Sequence, residues 1–217
     1  MDIEGNISKF MSSRGPDRRY TSFDYCFNYF QAYRERDQIG EISARENMQL
    51  SCLHLGFYLA SWGMVSRRSV LLAKSLKHYE PVLDVIATAP STTWEIDAHA
   101  YTQEALAELM TVSHRIRQAF NHPNGASPTL VTKVMLGVFG NVPAFDTFVV
   151  AGLKASSLVG SFGIKALRDI NRFYQEHHEV IERNREYTLD FDTGKLTDRR
   201  YTRAKVIDEI FFIEGGG

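Results

Sequence analysis

Hydrophobic and polar positions follow a helical period over most of this 217-residue chain. Apolar side chains that recur every three or four residues form one face of an α-helix. Six segments have this spacing, and together they predict an all-α fold. They are residues 23–34, 48–62, 70–86, 106–120, 164–181 and 206–211, the third interrupted near Pro81 and the fourth capped by Thr102.

One segment near the C-terminus has a different pattern. Tyr187, Leu189 and Phe191 alternate with polar residues and lead into Asp192-Thr193-Gly194. Because glycine accepts the positive φ of a tight turn, residues 187–201 are predicted to form a short β-hairpin or an extended loop. Residues 154–163, rich in Ser and Gly, read as a connection between helices. We therefore expect a single all-α domain over residues 1–217, with one short hairpin.

Composition supports a folded chain in a reducing compartment. Apolar residues make up 44% of the sequence, with 14 Phe and 10 Tyr, which argues against disorder. No stretch approaches eighteen consecutive apolar residues, so we predict no membrane span, and the N-terminus does not resemble a secretion signal. Cys26 and Cys52 are too few for a disulfide framework. A cytoplasmic location is expected.

The charge balance limits how the chain binds nucleic acid. Its 25 Lys and Arg stand against 26 Asp and Glu, for a formal net charge of -1. This excludes nucleic-acid binding through bulk positive charge alone, but it does not exclude a local basic groove.

Residues 121–153 carry the most specific pattern. Ser127 followed by Pro128 is a strong helix start, because the hydroxyl caps the first turn and proline needs no amide partner there. Gly140 suits the left-handed position that ends a helix. Pro143 is predicted to open the next helix, with Asp146 in its first turn. A carboxylate there faces unpaired amide hydrogens and stays ionised.

This segment resembles the middle of the helix–hairpin–helix DNA glycosylases. In that all-α family a Gly-rich hairpin leads into a helix, then a short Pro-containing loop, then a catalytic Asp in a Val-Asp-Thr-His-type motif. The resemblance covers roughly 25 of the 217 residues. The matching residues are Val134-Met135-Leu136, Phe139-Gly140, Pro143 and Ala144-Phe145-Asp146-Thr147-Phe148-Val149.

The chain also departs from the family pattern. Gly125-Ala126-Ser127-Pro128 stands where the hairpin has Gly-Val-Gly, and Phe148 stands where the motif has His. The lysine nucleophile of bifunctional members would align near Leu130, so Lys133 could serve only in a different register. The iron–sulfur cysteine set is missing. The resemblance therefore implies a divergent, monofunctional member.

The implied reaction is hydrolysis of the N-glycosidic bond of a damaged or chemically modified base in double-stranded DNA, leaving an abasic site. The implied substrates include a hypermodified base of phage DNA, which would give the protein a role in phage defence. Asp146 would stabilise the sugar cation and orient water. An equally weighted alternative is that Asp146 only caps its helix. The base must leave the stack, so an aromatic pocket is needed, for which Trp62 and Phe145 are candidates.

The remaining site residues are candidates for DNA contact. Amide hydrogens at a helix start attract phosphate, which suggests Gly125, Ser127 and Thr129 as an anchor, with an ordinary capped turn as the alternative. Arg67, Arg68 and Lys133 would add positive charge. Neither a cofactor nor a metal is expected: histidines at zinc-ligand spacing are missing. The oligomeric state is left open. The competing hypothesis is a non-catalytic all-α interaction protein, which the near-neutral charge favours.

Overall fold

The computed structural model describes residues 1–67, 69–121 and 125–217, and it confirms the predicted all-α fold with one short hairpin near the C-terminus. Within these ranges the chain forms nine α-helices and two β-strands. In order they are α1 (Ile3–Ser12), α2 (Ser22–Glu35), α3 (Arg45–Ser61), α4 (Glu80–Ala87), α5 (Gln103–Ala119), α6 (Pro128–Phe139), α7 (Thr147–Ala155), α8 (Ile164–Arg183), β1 (Tyr187–Leu189), β2 (Leu196–Arg200) and α9 (Arg203–Glu214).

The predicted interruption near Pro81 is confirmed. The segment begins as two short 3-10 turns, Val70–Ala73 and Leu76–Tyr79, before α4 starts. Pro81 lies in the first turn of α4, where the missing amide hydrogen costs no helical bond. Thr102 caps α5 as predicted, with its hydroxyl oxygen accepting from the amide of Ala105.

Helix α1 was missed in the sequence pattern. Asp2 caps it by accepting from the amide of Gly5, and Ile7 and Phe10 are buried on its inner face against α9. Ile3, Ile7 and Phe10 have the spacing of a helical face, so the signal was present, although charged residues interrupt it.

Helices α6 and α9 form the centre of the molecule. Every residue from Leu130 to Phe139 is buried, as is every residue from Ala204 to Ile213. Helices α1 and α7 pack on α9, whereas α2 and α3 pack on α6. A single connected apolar cluster includes buried residues of all nine described helices.

The predicted hairpin is confirmed. Strands β1 and β2 pair antiparallel, with Tyr187 opposite Arg200 and Leu189 opposite Leu196. Gly194 has a φ of +64° in the turn. The hairpin is fixed to α2, because a carboxylate oxygen of the buried Asp24 accepts from the amide of Leu189 at 2.8 Å. Among the described helices, none is long and apolar enough to cross a membrane.

Candidate functional site

The helix that leads to Asp146 begins and ends as the sequence predicts. The hydroxyl oxygen of Ser127 caps α6 by accepting from the amide of Leu130, and Pro128 is the first helical residue. Gly140 ends the helix with a φ of +67°. A side chain at Gly140 would meet Thr202 and Phe27, so both conformation and space favour glycine there.

Asp146 is the N-cap of α7. Its Oδ1 accepts from the amides of Phe148 and Val149, both at 3.0 Å. The prediction that Pro143 opens this helix is wrong: α7 starts at Thr147, and residues 141–146 form a loop. The unpaired amides at the helix start therefore face the Asp146 carboxylate directly and donate to it.

The second carboxylate oxygen of Asp146 is paired with Lys133. Lys133 Nζ lies 2.8 Å from Asp146 Oδ2, and only 4% of the lysine side chain and 13% of the aspartate side chain are exposed. The same ammonium lies 5.0 Å from the centre of the Trp62 ring. The structure thus gives Lys133 a carboxylate and an indole as neighbours, whereas the sequence suggested a DNA phosphate.

Three side chains hold the loop before Asp146. The amide of Phe145 donates to Thr132 Oγ1 at 2.9 Å, and Thr129 Oγ1 donates to the Phe145 carbonyl at 2.8 Å. The amide of Ala144 donates to Asp208 Oδ1 at 2.8 Å. Two of these contacts come from α6 and one from α9, so the two central helices together fix the position of Asp146.

Behind Asp146 lies a small cavity of about 10 Å³, the size of one water molecule. Its wall includes two ammonium and two carboxylate groups, from Lys133, Asp146, Lys205 and Asp208. The other lining residues are apolar or aromatic: Phe23, Tyr58, Trp62, Leu136 and Phe212. Opposite charges in a low-dielectric setting attract strongly, and this arrangement balances them in two pairs.

The charges on α9 form a buried network that the sequence analysis missed. Lys205 Nζ lies 3.2 Å from Glu209 Oε1 and 3.6 Å from Asp208 Oδ2, and these three side chains are almost completely buried. Burial raises the pKa of Asp208, which Lys205 partly offsets. Burial likewise raises the pKa of Glu209 from 4.5 to about 7. The sequence contains a signal for this burial: apolar residues lie on all sides of these charges on α9, and a helix that is apolar all round is buried.

A wider cleft of about 410 Å³ lies between two segments that the sequence singled out. One wall comes from Gly63, Met64, Ser66, Ser69, Val70 and Leu71, and the other from Gly125, Ala126, Ser127, Pro128 and Leu130. Arg67 belongs to the first segment and has an exposed side chain, whereas Arg68 lies outside the described residues. Gly125 has a φ of +70° and lies against the side chain of Arg117, which leaves no room for a Cβ. His78 and Arg117 also line this cleft.

Trp62 and Phe145 are both held by aromatic packing. The Trp62 ring contacts Tyr20 and Phe212, with ring centres 5.3 Å and 5.7 Å apart, and its buried Nε1 has no hydrogen-bond partner among the described residues. Phe145 is buried against Phe162, with ring centres 5.2 Å apart. Trp62 lines the Asp146 cavity, and the next residue in the sequence, Gly63, lines the cleft.

Phe148 is an exposed aromatic residue two positions after Asp146. It is 42% exposed, and its ring packs edge-on against Phe212. Sequence reasoning noted it only as a departure from the family motif. Its backbone amide donates to Asp146 Oδ1, so this exposed ring lies on the first turn of the helix that Asp146 caps.

Comparison with protein-family models, with curated proteins and with solved structures gives no match to this chain. Within the described residues, no group of three or more His, Cys, Asp or Glu side chains is arranged to hold a metal ion.

Proposed function

We propose that this protein is a monofunctional DNA glycosylase that removes a damaged or chemically modified base from double-stranded DNA. The observation that carries the proposal is the setting of Asp146. Its carboxylate caps α7 at the end of a loop fixed by both central helices, and 13% of its side chain is accessible. The proposal also draws on the resemblance of residues 125–149 to the helix–hairpin–helix glycosylases.

The chemistry requires a fixed negative charge close to deoxyribose. As the glycosidic bond breaks, positive charge develops on the sugar, and a preorganised carboxylate stabilises it without reorganising. Asp146 is prepared for this role because two backbone amides and the Lys133 ammonium fix the position of its carboxylate. The same carboxylate can orient the water that attacks the sugar, and the base departs with the bonding electrons.

The target base must leave the duplex stack and enter a pocket. The cleft between residues 63–71 and 125–130 is proposed as that pocket, since its volume of about 410 Å³ lies in the range of small-molecule sites. Backbone amides of the turn at Gly125, Ser127 and Thr129 would anchor a phosphate at the start of α6, and the exposed Arg67 would contact the DNA backbone. A modified base of phage DNA belongs to this substrate class.

Lys133 supports a monofunctional reaction. A lysine nucleophile must attack the sugar as an uncharged amine, and the Lys133 ammonium is held by Asp146 in a buried pair. The expected product is therefore an abasic site in an intact strand. Borohydride reduction of the reaction mixture should trap no covalent protein–DNA adduct.

The proposal is tested by incubating the protein with genomic DNAs that carry different base modifications and scoring alkali-labile abasic sites. The matched control is Asp146→Asn, which keeps an oxygen for the α7 cap but loses the negative charge. We expect release of one class of modified base by the wild type and none by the variant, with DNA affinity unchanged. Full activity of Asp146→Asn would rule out this mechanism.

A non-catalytic interaction protein is the second candidate, favoured by exposed apolar side chains on α3. Leu50, Leu53 and Phe57 on this helix are 49%, 43% and 68% exposed. Soluble proteins seldom leave such side chains together without a partner. If no DNA yields abasic sites, this candidate becomes the better explanation.

A further inference from the structure

The loop that carries Asp146 depends on a side chain from the last helix of the chain. Asp208 Oδ1 accepts from the amide of Ala144, two residues before Asp146, at 2.8 Å. Ala144 is 1% exposed and Asp208 is 6% exposed, so water does not replace this bond. The contact joins positions that are 64 residues apart in the sequence.

A carboxylate at this buried position carries a free-energy cost. Burying a charge is unfavourable unless it is paired and hydrogen-bonded, and an apolar side chain often serves the core equally well. Asp208 has a counter-ion in Lys205, 3.6 Å away, and its other oxygen receives the Ala144 amide. An apolar residue could not accept that hydrogen bond, which makes the loop contact the specific contribution of this side chain.

Asp208 has Lys205 as its counter-ion, so the Lys133 ammonium is available to pair with the Asp146 carboxylate. Lys205 lies within 4 Å of Asp208 and Glu209 on α9, and Lys133 is the ammonium that pairs with the Asp146 carboxylate. All four groups of the two pairs line the same cavity of about 10 Å³. Asp208 is thus coupled to the Asp146 site in two ways: it holds the loop through the Ala144 amide, and its charge faces the same cavity as Lys133 and Asp146.

We propose that Asp208 is a positioning residue for Asp146, acting through its hydrogen bond to the Ala144 amide. The proposal rests on the proposed glycosylase function and adds a second acidic residue to that site. Asp208 does not touch the DNA; it sets where the Asp146 carboxylate stands relative to the sugar. Small displacements of a catalytic group reduce the rate strongly, by about 100-fold for about 1 Å.

The test compares Asp208→Leu with Asp208→Asn. Leucine cannot accept from Ala144, whereas the asparagine carbonyl oxygen can, and Glu209 still pairs with Lys205 in both variants. We expect Asp208→Leu to lower kcat for base release about 100-fold with KM for DNA unchanged. Asp208→Asn should keep most of the wild-type kcat.

Asp169→Leu is the matched control. Asp169 on α8 is a similarly buried carboxylate that accepts from a backbone amide, that of Val159, but it does not contact the Asp146 loop. Its loss should lower stability without changing kcat. Should Asp208→Leu fail to fold, Asp208→Ser replaces it, because its hydroxyl is too short to reach the Ala144 amide.

Backbone amide exchange gives a readout that does not depend on activity. Residues 141–149 should exchange faster in Asp208→Leu and at the wild-type rate in Asp208→Asn. If the wild type releases no base from any DNA, the proposed function fails, and exchange still decides the role of Asp208. Wild-type exchange and kcat in Asp208→Leu would overturn the inference, as would an equal loss of kcat in both Asp208 variants.

Discussion

Lys133 Nζ and Asp146 Oδ2 lie 2.8 Å apart, and this contact links the central helix α6 to the start of α7. The two carboxylate oxygens of Asp146 make different contacts. Oδ1 accepts the amides of Phe148 and Val149, and Oδ2 receives the lysine. The carboxylate is therefore both a structural cap and an ion-pair partner, and neither task prevents its exposed part from facing a substrate.

Replacing Lys133 by methionine should lower the free energy of unfolding by about 3 kcal/mol, because it leaves a mostly buried carboxylate without its counter-ion. Urea unfolding at pH 7 measures this value. Lys165→Met on the exposed face of α8 is the control and should stay within about 0.5 kcal/mol of the wild type. A double-mutant cycle with Asp146→Asn should show a coupling of about 1–3 kcal/mol; additive effects would contradict the pair.

The cap is tested apart from the ion pair by comparing two replacements of Asp146. Asparagine keeps a carbonyl oxygen for the amides of Phe148 and Val149, whereas alanine keeps none. Both lose the charge that faces Lys133, so that loss cancels, and the difference reports the cap together with the contact of the asparagine amide group with Lys133. We expect Asp146→Ala to be less stable than Asp146→Asn by about 1 kcal/mol in urea unfolding. Equal stabilities would mean that the cap contributes nothing.

Local chemistry in the sequence predicted the helix ends around the site. Ser127, Pro128 and Gly140 act through bonds within a few residues, and the structure places each as expected. The pairing of Lys133 with Asp146 could not be predicted, because it depends on the path of the loop between two helices. The prediction that Pro143 opens α7 was wrong because proline permits a helix start but does not require one.

The buried charges of α9 show a second limit of sequence reading. Val206, Ile207, Ile210 and Phe211 were recognised as one apolar face, which leaves the opposite face to solvent. In the folded chain α1 and α7 cover that helix as well, so its charges are buried. The sequence shows that apolar residues surround these charges, but which helices cover them follows only from the tertiary packing, since the burial of one helix depends on how many others surround it.

Arg67 is expected to contact a DNA phosphate. Replacing it with alanine should weaken binding to all DNA sequences alike and reduce the slope of log K against log salt concentration by about 0.9. Fluorescence anisotropy over a salt series measures the slope. Lys195→Ala in the hairpin turn is the control, since this exposed lysine does not line the cleft, and it should leave the slope unchanged. Identical slopes for wild type and Arg67→Ala would exclude the contact.

Gly152 permits a close approach of α7 to α9. A Cβ there would lie 2.2 Å from the carbonyl oxygen of Phe211, so Gly152→Ala must push the two helices apart. We expect it to lower the free energy of unfolding by about 3 kcal/mol, the upper part of the usual range for overpacking. Gly40→Ala is the matched control, because no atom lies within 4 Å of its added Cβ. Equal stability of the two variants would contradict this packing.

Glu209 should make the stability of the protein depend on pH. Its pKa rises from 4.5 to about 7 on folding because the side chain is buried, with Lys205 opposing the shift and Asp208 and Asp24 adding to it. The folded state therefore binds the proton more tightly than the unfolded state. The resulting stabilisation is complete below pH 4.5 and is lost as the pH rises through about 7.

Removing this carboxylate should remove that pH dependence. Between pH 5 and pH 8 the wild type should lose about 3 kcal/mol of unfolding free energy relative to Glu209→Gln, which has no proton to release. Urea unfolding of both proteins across this range gives the difference directly, and contributions from all other groups largely cancel in it. Glu179→Gln, at an exposed position of α8, should track the wild type within about 0.5 kcal/mol. A constant difference between wild type and Glu209→Gln from pH 5 to pH 8 would show that Glu209 keeps an ordinary pKa, and that the charges around Lys205 are more hydrated than their burial indicates.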